Sequence, residues 1–65
     1  MQKFVVETDS GKYVVFAPTH EAALMQVCGG TIAIAANFGE EMFFTLANGE
    51  EVSVVRKSVA QLAAA

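Results

Sequence analysis

The chain has 65 residues and a formal net charge of −3, and 54% of its residues are hydrophobic while 17% are charged. Average soluble domains carry about 25% charged residues, so this composition excludes a disordered chain and predicts a single small domain over residues 1–65. One cysteine excludes an intramolecular disulfide, and one histidine leaves a closed zinc site short of ligands.

The hydrophobic excess is the most informative feature of the composition. A domain of about 60 residues buries only about 60% of its unfolded surface, so apolar side chains outnumber the interior positions. We expect the surplus to form a contiguous exposed patch, and such patches mark interfaces. Because a core of this size rarely supplies more than about 3–5 kcal/mol, a protein partner, first of all a homo-oligomer, is the expected source of further stability.

A hairpin is predicted at the start of the chain. Residues 3–8 and 12–17 are rich in β-branched and aromatic side chains, which favour strands. Residues 9–11 between them have turn chemistry, so the two strands are expected to pair antiparallel. Pro18 ends the second strand because it has no backbone N–H to donate.

A helix is predicted over residues 20–28. Thr19 is a suitable N-cap, and Glu21 lies in the first turn, where the helix dipole favours a carboxylate. Gly29 and Gly30 end the helix, and we expect one of them to adopt the left-handed conformation.

Three more strands are predicted over residues 31–36, 41–46 and 51–55. The first of these is apolar or small on both faces, which is typical of a central strand. Asn48 and Gly49 form the strongest short hairpin signal, and they lie between the other two.

The last residues predict a second helix. Arg56 and Lys57 interrupt the strand pattern, and Ser58 is a suitable N-cap for a short helix over residues 59–65.

The order ββαβββα predicts an α+β fold with a five-stranded, mainly antiparallel sheet, which could curl into a partly open barrel. Every element contributes large apolar side chains to the predicted core. They are Phe4, Val6, Val14, Phe16, Leu24, Val27, Ile32, Ile34, Phe44, Val52, Val54 and Leu62.

The sequence offers few candidates for catalysis. His20 and Cys28 are eight residues apart on the predicted helix, about 12 Å along its axis, which is too far for a dyad. We interpret His20 as a solvated surface residue and Cys28 as a small buried hydrophobe. No catalytic residue, metal site, cofactor or small-molecule substrate is therefore predicted.

Two pairs of adjacent carboxylates flank the fourth predicted strand: Glu40 with Glu41, and Glu50 with Glu51. They are interpreted first as solubilising turn residues. The alternative is an acidic rim that meets a basic surface on a partner protein.

Two exposed apolar residues complete the candidate interface. Phe38 lies in a predicted turn, where its ring either folds back on the core or projects into a partner's pocket. Met25 lies about 100° from Leu24 around the helix and is expected to face outward. Phe38 and Met25, with the four glutamates, are the predicted interface residues.

The leading hypothesis is a non-enzymatic protein–protein interaction or assembly module that associates with itself through strand edges and the outer sheet face. The alternative is a small acidic inhibitor or regulator, of the kind that bacteriophages encode, that occupies a basic site on a partner.

Other partners and locations are less favoured. Four cations on a net-negative chain provide few phosphate contacts, so nucleic acid is not the expected partner. Glu7 comes too early for a targeting segment, and no apolar run suits a membrane span. A lone thiol suits a reducing compartment, so the cytoplasm is the expected location.

Overall fold

The computed structural model describes residues 1–57 as an antiparallel sheet with one helix packed on it. The strands are β1 (Gln2–Thr8), β2 (Gly11–Ala17), β3 (Ile32–Phe38), β4 (Glu41–Leu46) and β5 (Glu51–Lys57), and the helix is α1 (His20–Val27). The order ββαβββ confirms the predicted order over these residues. The predicted C-terminal helix and Leu62 lie outside them.

The sheet has the strand order β2-β1-β5-β4-β3, and all four neighbouring pairs are antiparallel. The neighbouring strands β1 and β5 are far apart in the sequence. Their pairing joins the β1–β2 hairpin to the β4–β5 hairpin in the middle of the sheet. The barrel is not closed, because β2 and β3 remain the two edges of the sheet. The prediction of β3 as a central strand is wrong.

The core lies between α1 and one face of the sheet. α1 packs on β2, β1 and β5. The buried side chains are Phe4, Val6, Ala17, Ala23, Leu24, Phe44, Leu46, Val52 and Val54. Val27 and Ile32 pack against them from half-buried positions, so the core prediction is confirmed for most of its members.

Val14 and Phe16 were predicted in the core, and this is wrong: their exposed fractions are 58% and 56%. A two-residue turn closes the first hairpin, and the resulting register places Val15 opposite Phe4. Directly opposed residues of an antiparallel pair share a face, so Val15 shares the core side with the buried Phe4. Val14 and Phe16 consequently lie on the other side.

Ile34 is also exposed, at 63%, although it was predicted in the core. The register of β3 against β4 shifts between Ile32 and Ile34. Ile32 faces Leu46 on the core side, whereas Ile34 faces Thr45 on the opposite side. The irregularity therefore turns two residues that would otherwise share a face to opposite faces.

The N-terminal end of α1 agrees with the prediction, and the C-terminal end does not. Thr19 is the N-cap, and its Oγ1 accepts a hydrogen bond from the Ala22 N–H at 3.1 Å. Cys28 is an extended C-cap whose N–H donates to the Leu24 carbonyl. Among the described residues, positive φ values occur only at glycines beside the hairpin turns, so the left-handed glycine predicted after the helix is wrong.

Two strands extend two residues beyond their predicted C-terminal ends. β5 continues through Arg56 and Lys57, and the Arg56 N–H donates to the Glu40 carbonyl at 2.8 Å. β3 continues to Phe38, which was predicted in a turn. The actual turn has two residues, Gly39 and Glu40, and Gly39 has a φ of +79°.

Candidate interaction surface

The face of the sheet turned away from α1 is apolar, and we refer to it as the open face. It is defined by the cross-strand pairs, because directly opposed residues in antiparallel strands lie on the same face. Its apolar residues are Val5, Val14, Phe16, Ile34, Ala36, Phe38, Phe43 and Val55. Among the described residues no helix or strand layer packs on it.

One row of the open face crosses the whole sheet. The register aligns Val14, Val5, Val55, Glu41 and Phe38 across the five strands in their spatial order. Four of the five are apolar, and the row ends in exposed side chains on both edge strands. The row is therefore apolar on β2, β1, β5 and β3, and the carboxylate of Glu41 interrupts it on β4.

Phe38 packs on the open face and not in the buried core. Its ring meets Phe43 edge to face, with centroids 5.6 Å apart and an interplanar angle of 74°. Even so, Phe38 remains 66% exposed. The two rings form the most prominent apolar feature at the β3 side of the sheet.

The open face also carries charged side chains, among them Glu7 and Lys12, which lie opposite each other on β1 and β2. Lys3 and Lys57 lie opposite each other at one end of the central strands. Glu51 lies at the other end of β5. Between them, Glu41 is half-buried and its Oε2 accepts a hydrogen bond from the Ser53 hydroxyl at 3.1 Å.

The first predicted glutamate pair is split between the two sides of the sheet. Glu40 forms an ion pair with Arg56, whose Nε donates to Oε2 at 3.0 Å. This hydrogen bond is the main reason that the pKa of Glu40 is lowered. Its neighbour Glu41 belongs to the open face.

The second pair lies at the opposite end of β4. Glu50 is half-buried and Glu51 is exposed, where β4 turns into β5. Glu51 pairs with Thr45, four residues along β4 from Glu41, so the two glutamate pairs are at least about 13 Å apart. The structure therefore does not bring the four glutamates together, and the acidic-inhibitor hypothesis stays a prediction.

Met25 lies on a different surface from Phe38. It is exposed on α1, which covers the core side of the sheet, whereas Phe38 lies on the open face. The two predicted anchors therefore do not form one patch.

His20 is half-buried, which corrects its interpretation as a solvated residue. Its ring packs edge to face on Phe4 with centroids 4.8 Å apart, and Nε2 lies 2.8 Å from the Glu40 carbonyl oxygen. These contacts tie the start of α1 to the β3–β4 turn, which points to a structural role.

An open groove of about 870 Å³ lies where α1 ends, between the helix, β2 and the β4–β5 turn. Tyr13, Val27, Cys28 and Glu50 are among its lining residues. Burial, and secondarily the charge of Glu50, raise the pKa of the Cys28 thiol. A raised pKa keeps the thiol protonated at neutral pH, which opposes nucleophilic chemistry at this cysteine.

Residues 1–57 contain no group of three or more histidine, cysteine or carboxylate side chains placed to hold a metal ion. In the same part of the chain, no helix has the length and apolar character needed to cross a membrane. Comparison of the chain with protein-family models, curated proteins and solved structures finds no match.

Sequence reasoning predicted Phe38 as an interface residue but missed most of the other apolar residues of the open face. Val14, Phe16 and Ile34 were assigned to the core because alternation identifies two faces without saying which one is covered. The signal available for the first hairpin was the two-residue turn, which fixes Val15 opposite Phe4.

Proposed function

We propose that this chain is a non-enzymatic assembly module that associates with itself by stacking its open face on the open face of a second copy. The observation that carries the proposal is the open-face row that is apolar on four of the five strands, on the side of the sheet opposite α1. Sheets that pack face to face bury such rows between them.

The size of the open face fits a small dimer interface. Five strands span about 24 Å, and the length of β5 spans about 20 Å, so stacking covers about 500 Å² on each copy. The pair would bury about 1,000 Å², which is where specific interfaces begin. We therefore expect a dimer that dissociates on dilution.

The charges of the open face suit a second copy in one orientation. β5 is the central strand, with Lys57 at one end and Glu51 at the other. A twofold axis that runs across the strands near Val54 places Lys57 of each copy over Glu51 of the other. Because aligned sheets cross at about 30° around their centre, the central strands stay superposed.

The test replaces Phe16, an open-face residue on the edge strand β2, which lies across the sheet from the other edge strand, β3. Phe16→Glu puts a carboxylate directly opposite Lys3, so the monomer accommodates it, but stacking would desolvate that charge. Met25→Glu is the matched control, because Met25 is exposed on α1, away from the open face. Sedimentation velocity over a wide range of concentration measures association, and far-UV circular dichroism checks the fold.

We expect the wild-type chain and Met25→Glu to dimerise with similar dissociation constants and folded Phe16→Glu to be monomeric. A wild-type chain that is monomeric at every concentration contradicts the proposal, as does a Phe16→Glu variant that dimerises like wild type. A variant truncated after Lys57 tests for another occupant of the open face. If this variant dimerises and the wild-type chain does not, residues 58–65 occupy the open face in place of a second copy.

A further inference from the structure

The two edges of the sheet differ in their protection against pairing with another strand. β2 contains Lys12 and is followed by Pro18, and Gln26 of α1 donates a hydrogen bond to the Phe16 carbonyl at 2.7 Å. Charge, proline and side-chain cover are the usual means of blocking an edge. β3 (Ile32–Phe38) contains no charged residue and no proline, and within residues 1–57 only β4 pairs with it.

The backbone hydrogen bonds of β4 show which of its residues bond to β5 and which bond to β3. The Leu46 N–H donates to the Glu50 carbonyl, and the Arg56 N–H donates to the Glu40 carbonyl, both at 2.8 Å. Residues 40 and 46 thus direct backbone groups to the β5 side. Because these directions alternate along an antiparallel strand, the odd-numbered residues of β4 direct theirs to β3.

This alternation identifies the free groups on β3. Phe43 of β4 is opposite Ala36, so Ala36 directs its N–H and C=O towards β4. Its neighbours Ala35 and Asn37 therefore direct their N–H and C=O groups away from the sheet. No strand within residues 1–57 pairs with these groups, so they form an edge that can pair with another strand.

We propose that β3 pairs antiparallel with β3 of a second copy, about a twofold axis at Ala36 and normal to the sheet. Ala36 then lies opposite Ala36 of the second copy, Ala35 opposite Asn37, and Ile34 opposite Phe38. Each Ala35–Asn37 pair exchanges two backbone hydrogen bonds, because both residues direct their groups to the shared edge.

Three features favour a second copy as the occupant. The two large residues, Ile34 and Phe38, meet each other while the small Ala36 meets itself, so the side chains match in size across the axis. No charge is brought into the edge. The pairing uses only residues 34–38, beyond the irregularity between Ile32 and Ile34, and keeps the two open faces on the same side.

The edge contact is separate from the stacked contact and goes beyond it. Stacking joins copies through their open faces, whereas edge pairing joins two sheets side by side into one of ten strands. A chain that uses both contacts assembles beyond the dimer, and a chain that uses one of them stops at two copies.

The test introduces a thiol on the axis, in a Cys28→Ala background. The Ala36 pair is not hydrogen-bonded across the new edge, so its Cα atoms lie about 4.5 Å apart, within disulfide range. Under oxidised glutathione, Ala36→Cys should form a covalent dimer, measured on a non-reducing gel and by intact mass. Asn37→Cys is the matched control, because its two copies are about 8 Å apart in this register, beyond disulfide range.

A second variant tests whether backbone pairing produces the crosslink. Ala35→Pro removes an outward N–H and spares the hydrogen bonds to β4, a position at which edge strands tolerate proline. Combined with Ala36→Cys, it should reduce crosslinking to the level of Asn37→Cys. Circular dichroism confirms that the variants are folded.

Repeating the crosslink in the Phe16→Glu background separates the two contacts. Efficient crosslinking of Ala36→Cys there supports the edge contact, even if stacking is abolished. A folded Ala36→Cys variant that crosslinks no better than Asn37→Cys overturns the edge proposal, whatever the result for the open face. So does crosslinking that persists unchanged with Ala35→Pro.

Discussion

Arg56 illustrates how one residue links three parts of the molecule. Its backbone N–H extends the β4–β5 ladder, and its guanidinium holds the Glu40 carboxylate. The carbonyl of Glu40 in turn lies 2.8 Å from His20 at the start of α1. Because the ion pair is exposed, its main effect is to order the β3–β4 turn, and its contribution to stability is small.

The Glu40 carboxylate predicts a pH dependence of stability. Its pKa in the folded chain is lowered from 4.5, mainly by the hydrogen bond from Arg56. The stabilising contribution is therefore fully present above the ordinary pKa and is lost as pH falls through the lowered value. We expect Glu40→Gln to lower Tm slightly at neutral pH and the difference from wild type to vanish in acid.

Thermal unfolding at a series of pH values, at a concentration where the chain is monomeric, measures this effect. Asp9→Asn is the control for loss of one carboxylate, because Asp9 is exposed in the β1–β2 turn and has no ion pair in the described residues. A Tm difference for Glu40→Gln that grows as pH falls would contradict the assigned role of the ion pair.

At the scale of elements, the start of α1 could be predicted from the local sequence, whereas its end could not. Thr19 as N-cap and the helix formers after it were sufficient to predict this helix. Its C-terminal end was not predictable from the two glycines, because an extended Cys28 ends the helix without a left-handed residue. The path of the segment between α1 and β3 depends on the pairing of β3 with β4, which is a contact between elements and not a local signal.

Neighbouring residues of α1 provide a prediction at this scale. Leu24 is fully buried against the sheet, whereas Met25 is exposed. Leu24→Ala should lower the free energy of unfolding by about 2–5 kcal/mol because it leaves a cavity in the core. Met25→Ala should change it much less, because Met25 is 43% exposed and is not part of the core cluster.

Urea unfolding followed by circular dichroism compares the two variants with the wild-type chain. Both substitutions introduce the residue with the highest helix propensity, so the difference between them reports burial alone. Equal effects would show that α1 does not cover the core as described. If Leu24→Ala is unfolded without urea, Leu24→Met gives a milder core substitution for the same comparison.

At the scale of the whole molecule, residues 1–57 cover one face of the sheet and not the other. The one helix of these residues packs on a single face, so apolar side chains of the opposite face remain at the surface. The hydrophobic excess seen in the composition is thus explained by its placement on the open face. Burying that face against a second copy removes it from water, which is the driving force of the proposed assembly.

The charges at the two ends of β5 predict a charge-swap result. Lys57→Glu alone and Glu51→Lys alone should each weaken the stacked dimer, because each places like charges together across the twofold axis. The double variant should recover affinity, because it exchanges the charges and restores opposite pairs. Sedimentation equilibrium at low and high salt measures the dissociation constants, and salt should reduce the differences.

Glu21→Lys is the control for the charge change of Glu51→Lys, because Glu21 is exposed on α1, away from the open face. If the double variant is weaker than both single variants, the orientation with Lys57 over Glu51 is wrong. The open face can then still stack, but with its strands in another direction.

The local sequence determined the elements: alternation gave the strands, Thr19 gave the helix start, and turn residues gave the hairpins. These signals act between residues near each other in the chain, so they can be read without the fold. They also identified the apolar surplus and the buried Phe4, Leu24 and Phe44.

Only the tertiary structure decided which strands are edges and which face α1 covers. β3 has the composition of a central strand but lies at an edge, because β5 inserts between β1 and β4. Alternation is symmetric between the two faces of a strand, so Val14 and Phe16 could be assigned to a side only through cross-strand register and the position of the helix. The candidate interface depends on those long-range choices, which is why Val14, Phe16 and Ile34 were assigned to the core although Phe38 was predicted correctly as exposed.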